Sequence, residues 1–585
     1  MFPQQNAYRQ YFDLSGFWDF RFDPEDQGQA AGWADGFEGG QPVAVPASWN
    51  DQFLDGNPRD NLGPAWYQTT FGLPWGFAGR QLSLRFGSVN YLADVWLNGI
   101  YLGRHEGGHM AFVFEATAHL HGQDGEGAGS NRLVVRVDGR LAPDRVPPGN
   151  LPREAGEGFG LHNNPDTSFD FFPYCGIQRP VLLVATPTEA IYDVTVTPAI
   201  PLGSEDGLLR VKLKASGTLA RLVLEGFGSQ YRQSLKLEWE QGEAELRVPK
   251  AQLWSPAHPN LYRLTVELLS GGQVKDAYSL MVGIRTIAVE GRLLLLNGEP
   301  VFLRGFCRHE DFPVTGRGYL PPVIVRDYDL LKWVGANSFR TSHYPYSEQM
   351  LDLADRLGFM VIDETQAVGL FFNEDGLERR LDLCKQYTGE LIQRDKNHPC
   401  VIAWSLANEP HSNHPAAKGY FRQLYDLARA LDTSRPITVV SMVGEAEEAF
   451  EFLDLVCLNR YNGWYYQSGD LDSAVTALSD ELDALYAHYQ KPIILSEFGA
   501  DALPGHHAQP PEMFSEEYQA EFITRYIQLL ESKPYVVGEH VWNLCDFKTS
   551  QGVIRMNSFN YKGVFTRDRR PKLAAHRIKE LWKDL

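Results

Sequence analysis

At 585 residues the chain exceeds what one hydrophobic core can fill, so three or four domains are expected. With 43% apolar and 12% aromatic residues it has an ordinary globular composition, which excludes disorder as the default reading. The net charge of -20 argues against a nucleic-acid partner, which needs a clustered basic face, but leaves room for a small anionic ligand held by a few concentrated cations.

The opening residues, MFPQQNAYRQYFDLSGFWDF, lack the basic start and apolar run of a secretory leader. No stretch approaches the roughly 18 apolar residues of a membrane span, so no membrane partner is expected. The six cysteines, Cys175, Cys307, Cys384, Cys400, Cys457 and Cys545, form no CxxC pair. Free buried thiols in a reducing, cytoplasmic compartment are the expectation.

From residue 11 to about 183, short apolar alternations such as QLSLRFGSVN, YLADVWLNG, NRLVVRVDG and RPVLLVAT are separated by Gly, Asn, Asp and Pro. Strands at that spacing predict a β-sandwich over 1–183. A second set, IYDVTVTPAI, LLRVKLKAS, ARLVLEGF, AELRVPK and LYRLTVELL, predicts another antiparallel domain over 184–284, of immunoglobulin-like size.

Near residue 285 the pattern changes to short apolar strands alternating with longer helical segments. Eight strands are predicted, beginning at Val301, Ala336, Phe359, Val401, Pro436, Leu455, Pro492 and Val536. Eight β-then-α units over 285–585 are the outline of a (β/α)8 TIM barrel. In such barrels catalytic side chains sit at the C-terminal strand ends. Those ends carry Arg340, Thr341, Ser342 and His343; Asp363 and Glu364; Asn408 and Glu409; Asn459 and Tyr461; Glu497; and Trp542 and Asn543.

Strands four and seven lie across a barrel mouth from each other, so Glu409 and Glu497 could flank a bound sugar. Glycoside hydrolysis needs one carboxylic acid to protonate the leaving oxygen and one carboxylate on the other face of the ring. A separation of about 5 to 5.5 Å would favour direct attack and retention of configuration. Asn408 offers a hydrogen bond to the sugar 2-hydroxyl. Glutamate at a strand end is common, and spacing alone leaves a structural role open.

The runs NSFRTSHYP (337–345), DKNHPCVIAWSLANE (395–409) and SEFGAD from Ser496 resemble the signatures of glycoside hydrolase family 2. LNRYNGWY (458–465), TSQGVIR (549–555), NYKGVFTRDRRPK (560–572) and VWLNGIYLGRHEGG (95–108) resemble its bacterial β-glucuronidase branch. The resemblance spans nearly the whole chain. It implies an N-terminal jelly-roll sugar-binding domain, an immunoglobulin-like β-sandwich and a catalytic barrel. It implies Glu409 as acid/base, Glu497 as nucleophile, and Tyr461 as the tyrosine that hydrogen-bonds the nucleophile.

A glucuronide carries a carboxylate on C5, and the resemblance assigns its recognition to the Asn-x-Lys element Asn560 and Lys562, with Arg555 beside it. Read alone, NYKG is a hairpin turn with a solvated lysine. The stretch RMNSFN from Arg555 is longer than the family pattern, which weakens the transfer at Arg555. Asp170, in FDFFPYCGIQR, resembles an aspartate that the first domain lends to the sugar hydroxyls. Tyr465 and Trp542 would line the pocket, and His343 and Asn459 would orient the catalytic groups. The connection from Ala367 to Gln393 is mostly one helix, which predicts an open entrance and larger conjugates or uronic-acid oligosaccharides as substrates.

His309, His411, His414, His506 and His507 show no metal-ligand spacing, and no cofactor fingerprint occurs. Neither a metal nor a cofactor is expected; the expected partners are the small-molecule glucuronide or uronic-acid oligosaccharide and, from the resemblance, further copies of the chain as dimer or tetramer. A β-galacturonidase would keep the carboxylate site, a β-galactosidase would not need Lys562, and a non-catalytic carbohydrate-binding protein would not need both glutamates.

Overall fold

The computed structural model describes residues 1–585 except 55–58, 123–128, 151–162, 202, 218, 227–231, 239–242, 373–374 and 584–585, and gives no side-chain surroundings for 232–238. The last residue of the predicted ARLVLEGF strand, Phe227, and residues 373–374 of the predicted open connection therefore lie outside the described residues.

The first domain is a jelly-roll sandwich of two antiparallel sheets. One has the order Gln10–Asp13, Val181–Thr186, Gln81–Phe86, Phe112–Glu115; the other runs Gln41–Val45, Gly16–Phe22, Ala65–Gly72, Ser130–Asp138, Leu92–Leu97, Ile100–Glu106. Alternate residues face inward, and Trp18, Phe20, Trp49, Tyr67, Leu84 and Val135 fill the space between the sheets. The strand Val181–Thr186 crosses residue 183, so the passage to the second domain lies in residues 187–190.

The second domain packs a three-stranded sheet on a four-stranded one. Its strand Gly207–Ala215 shows the cause: Leu209, Val211 and Leu213 are buried, while Arg210, Lys212 and Lys214 between them are exposed. A short hairpin, Ile287–Glu290 with Leu293–Leu296, then leads into the barrel.

The barrel closes through eight parallel strands: Leu303–Cys307, Ser338–Arg340, Met360–Glu364, Val401–Asn408, Ile437–Ser441, Val456–Asn459, Ile493–Phe498 and Val536–Val541. Strand eight pairs back onto strand one, Gly538 opposite Leu303. The surrounding helices carry their own boundary signals. Glu348–Leu357 starts where the Ser347 side chain accepts the Met350 amide and stops at Gly358, whose φ of 79° suits glycine. One expectation is corrected: strand five is followed by two 3-10 turns, Gly444–Ala446 and Glu448–Glu451, and not by an α-helix. The fourteen residues 442–455 before strand six leave no length for a barrel helix and its two turns.

Candidate active site

The strand ends assemble around a buried guanidinium. Arg340, at the end of strand two and 0% exposed, reaches Glu364 with Nη1, 2.6 and 2.7 Å from the two carboxylate oxygens, and Glu497 with Nη2. Burying a charge is costly unless it is paired, and here one cation serves two carboxylates. Glu364 also accepts from Ser405 Oγ at 2.7 Å and contacts His343 Nδ1 at 3.1 Å. A neutral His343 that donates Nδ1–H to Glu364 keeps Nε2 as an acceptor, 3.7 Å from Glu497. Burial lowers the His343 pKa to about 4, so the neutral form holds at ordinary pH. Its ring stacks on Trp542 with centroids 4.9 Å apart.

Glu497 has a second donor: the Tyr461 hydroxyl, 2.7 Å from Oε2. Glu409, just past strand four, sits in the left-handed region with φ 44°, a conformation a non-glycine residue holds only when its surroundings impose it. Asn459 Nδ2 donates to its Oε1 at 2.8 Å, and Ser496 Oγ orients Asn459 through Oδ1 at 2.9 Å. The Asn408 oxygen takes weak contacts from Arg340 and Asn459, at 3.4 and 3.3 Å.

Burial pushes the Glu497 carboxyl up to about 8 against the opposing pull of Arg340, and the Glu409 charge adds to the rise. Glu409 is also raised, again by burial, with Asn459 opposing. Of the two glutamates, Glu497 has the Arg340 guanidinium in direct contact, which favours its charged form, while Glu409 is met by the neutral Asn459 amide.

A second cluster gathers cations. Arg555 Nη2 and Lys562 Nζ both donate to the Tyr465 hydroxyl, at 2.7 and 3.0 Å. Asp170, from the jelly-roll domain, accepts Arg555 Nε at 2.7 Å and Asn560 Nδ2 at 2.8 Å. Asp501 accepts Lys562 Nζ at 2.5 Å and the Tyr561 amide at 2.7 Å. Burial pushes the Asp501 carboxyl up, but Lys562 and Arg555 outweigh it, leaving it below the ordinary range.

One cavity of about 640 Å³ joins the two clusters. Asp170, His343, Asn408, Glu409, Asn459, Tyr461, Tyr465, Glu497, Trp542, Arg555 and Asn560 all line it. Lys562 does not: it is 1% exposed and lies behind the wall, reaching the cavity through Tyr465. The close approach of strands seven and eight that sets Glu497 beside Trp542 requires glycine at 499, where a Cβ would stand 2.1 Å from the Trp542 carbonyl oxygen.

Three family models cover the chain: the sugar binding domain of Glycosyl hydrolases family 2 over residues 12–187, Glycosyl hydrolases family 2 over 190–285, and the family's TIM barrel domain over 287–585. The chain belongs to glycosyl hydrolase family 2. It is 39% identical over 602 residues to a β-glucuronidase from Paenibacillus borealis, covering 100% of this chain and 99% of that one. It is 38% identical to a human β-glucuronidase, covering 100% of this chain and 92% of the relative. Among solved structures, a β-glucuronidase of Ruminococcus gnavus in complex with D-glucuronic acid superimposes with a TM-score of 0.92 at 36% identity, over 100% of this chain and 99% of that one.

Several residues of this family 2 site escaped the sequence reading as site residues. Arg340 and Glu364 were visible only as polar strand ends; a buried arginine implies a carboxylate partner, but which one is a matter of three dimensions. Asp501, in SEFGAD, signalled nothing until the fold placed it under Lys562. Among the described residues, one group joins three metal-ligand types: Asp355, His398 and Cys400, with ligand atoms within 4.8 Å of one another. Its carboxylate is already engaged by His398 Nδ1 at 2.6 Å and by the Cys400 amide at 2.9 Å, as in a structural ion pair.

Proposed function

We propose that the chain hydrolyses β-D-glucuronides with retention of configuration, through a covalent glycosyl-enzyme. The observation that carries this reading is the single cavity in which a glutamate pair and the Arg555–Tyr465–Lys562 cluster meet. The carboxylate of the sugar would be held by Tyr465, Asn560 and the two cations. That orientation sets the anomeric carbon between Glu409 and Glu497.

In the first step Glu497 attacks the anomeric carbon. The bond to the leaving oxygen breaks as Glu409 gives that oxygen its proton. In the second step Glu409, now a carboxylate, takes a proton from water. The water oxygen then attacks the same carbon and frees Glu497. Arg340 and Tyr461 hold the nucleophile's two oxygens, His343 Nε2 accepts from a sugar hydroxyl, and the Asn408 amide donates to the 2-hydroxyl. The identity to curated β-glucuronidases, and the Ruminococcus gnavus neighbour bound to D-glucuronic acid, support the substrate assignment.

The test is a parallel assay of the 4-nitrophenyl β-glucuronide, β-galacturonide and β-galactoside, with the anomer first released identified by proton NMR. Turnover of the galactoside alone would remove the substrate, and release of the α-anomer would remove the retaining mechanism. A homo-oligomer, dimer or tetramer, in a reducing cytoplasm belongs to the same reading. It is supported by the exposed Phe17 and Trp75 on the first domain, 85% and 98% accessible, and by six cysteines that are free and buried. Light scattering and fractionation of the native cells test both.

A further inference from the structure

The cluster that would read the sugar carboxylate is electrically balanced. Arg555 and Lys562 bring two positive charges; Asp170 and Asp501 return two negative ones. A subsite built only to attract an anion would keep a positive excess, and this one has none.

Asp170 faces the cavity and can meet sugar hydroxyls. Asp501 cannot: it is 4% exposed, is absent from the cavity wall, and spends one oxygen on the Tyr561 amide and the other on Lys562. Arg555 Nη1 stands 3.7 Å from that second oxygen, so the same carboxylate underlies both cations. Lys562 is thus suspended between a buried carboxylate on one side and, on the other, the Tyr465 hydroxyl that faces the ligand. An ammonium has three N–H donors, and these two contacts account for two of them.

We propose that Asp501 tunes uronate recognition by holding Lys562 and competing with the sugar carboxylate for it. The substrate is then read without the product being trapped. This rests on the glucuronide reading above and deepens it. Substrate and released glucuronate present the same carboxylate, so extra positive charge would bind both more tightly. Uniform binding lowers KM without raising kcat and slows product release. Asp501 touches no sugar atom and acts through Lys562, which makes it a positioning residue.

Asp501→Asn keeps the shape and removes the charge. The expected result, read by calorimetry and by inhibition kinetics, is about tenfold tighter binding of D-glucuronate. KM for 4-nitrophenyl β-D-glucuronide falls with it, and binding of D-glucose is unchanged. Adding Lys562→Gln should erase the gain. Weaker glucuronate binding by a folded Asp501→Asn variant, or a gain that survives Lys562→Gln, would overturn the proposal.

If the variant does not fold, a crystal structure of the unaltered protein with D-glucuronate decides. The expected arrangement has Lys562 Nζ in hydrogen-bond reach of both carboxylates, that of Asp501 and that of the sugar. Lys562 bound to Asp501 with no contact to the sugar would also overturn it. Calorimetry and the crystal structure read binding without turnover, so a chain that bound glucuronate in this way but cleaved no glucuronide would sink the reaction and leave this inference standing.

Discussion

The Tyr461 hydroxyl donates to Glu497 Oε2 across 2.7 Å, on the side of the carboxylate opposite Arg340. A hydrogen bond to a charged group contributes about 1.5–3 kcal/mol. Tyr461→Phe should therefore lower kcat by about tenfold to a hundredfold, with a burst of released aglycone if the slowed step is breakdown of the glycosyl-enzyme. Stopped-flow kinetics with a fluorogenic glucuronide measures both; an unchanged kcat would detach Tyr461 from the chemistry.

The proposed mechanism gives the two glutamates separable roles. Glu497→Ala should abolish turnover of every substrate. Glu409→Ala should lose most activity on poor leaving groups while keeping the first step on activated aryl glucuronides, and azide should restore turnover by attacking the glycosyl-enzyme without needing a general base. An active Glu497→Ala variant would refute the mechanism.

The proposed mechanism needs Glu497 charged and Glu409 protonated, and that fixes the sign of the pH dependence. As pH falls, Glu497 gains a proton and can no longer attack. As pH rises, Glu409, whose carboxyl burial holds above the ordinary range, loses its proton and can no longer act as acid. Activity, followed as kcat/KM, should be bell-shaped, with its alkaline limb above the ordinary carboxylate range. Glu409→Gln, assayed on an activated aryl glucuronide, should flatten the alkaline limb and keep the acid one.

Lys562→Gln and Arg555→Gln each break a buried charge pair that would face the sugar carboxylate. Removing one partner of such a contact costs about 2–5 kcal/mol. Activity on the glucuronide should fall accordingly while the smaller activity on the corresponding glucoside changes little. Ratios of kcat/KM for the two substrates carry the answer, and equal losses on both would reduce these residues to scaffolding.

The link between strand three and the helix Leu377–Asp395 is twelve residues long, and its Val368 and Gly369 line the cavity. An open entrance should favour bulky leaving groups, so kcat/KM on a uronic-acid oligosaccharide is expected to match or exceed that on a small aryl glucuronide. A strong preference for the aryl compound would count against this.

Much of this was readable in one dimension because barrels write chemistry at strand ends. Asn408–Glu409 and Glu497 each close a run of apolar residues, and all eight strands lie where those runs predicted them. The missing helix after strand five was not readable, since a periodic pattern records apolar spacing but not whether fourteen residues suffice for a crossover. Nor was the role of Arg340. Its partners come from strands three and seven, 24 and 157 positions along the chain, and only closure of the barrel brings them within reach of one guanidinium. Nor does the sequence record how Lys562 is held: the NYKG turn sets its ammonium between the Tyr465 hydroxyl and Asp501, contacts that only the folded barrel mouth brings together.

The grip of Asp170 on Arg555 and Asn560 crosses a domain boundary. An excised barrel would therefore keep its glutamates and lose the strut that aims its cation hairpin. Transplanting the barrel onto another family member's jelly roll would then alter which sugar it prefers before it altered how fast bonds break.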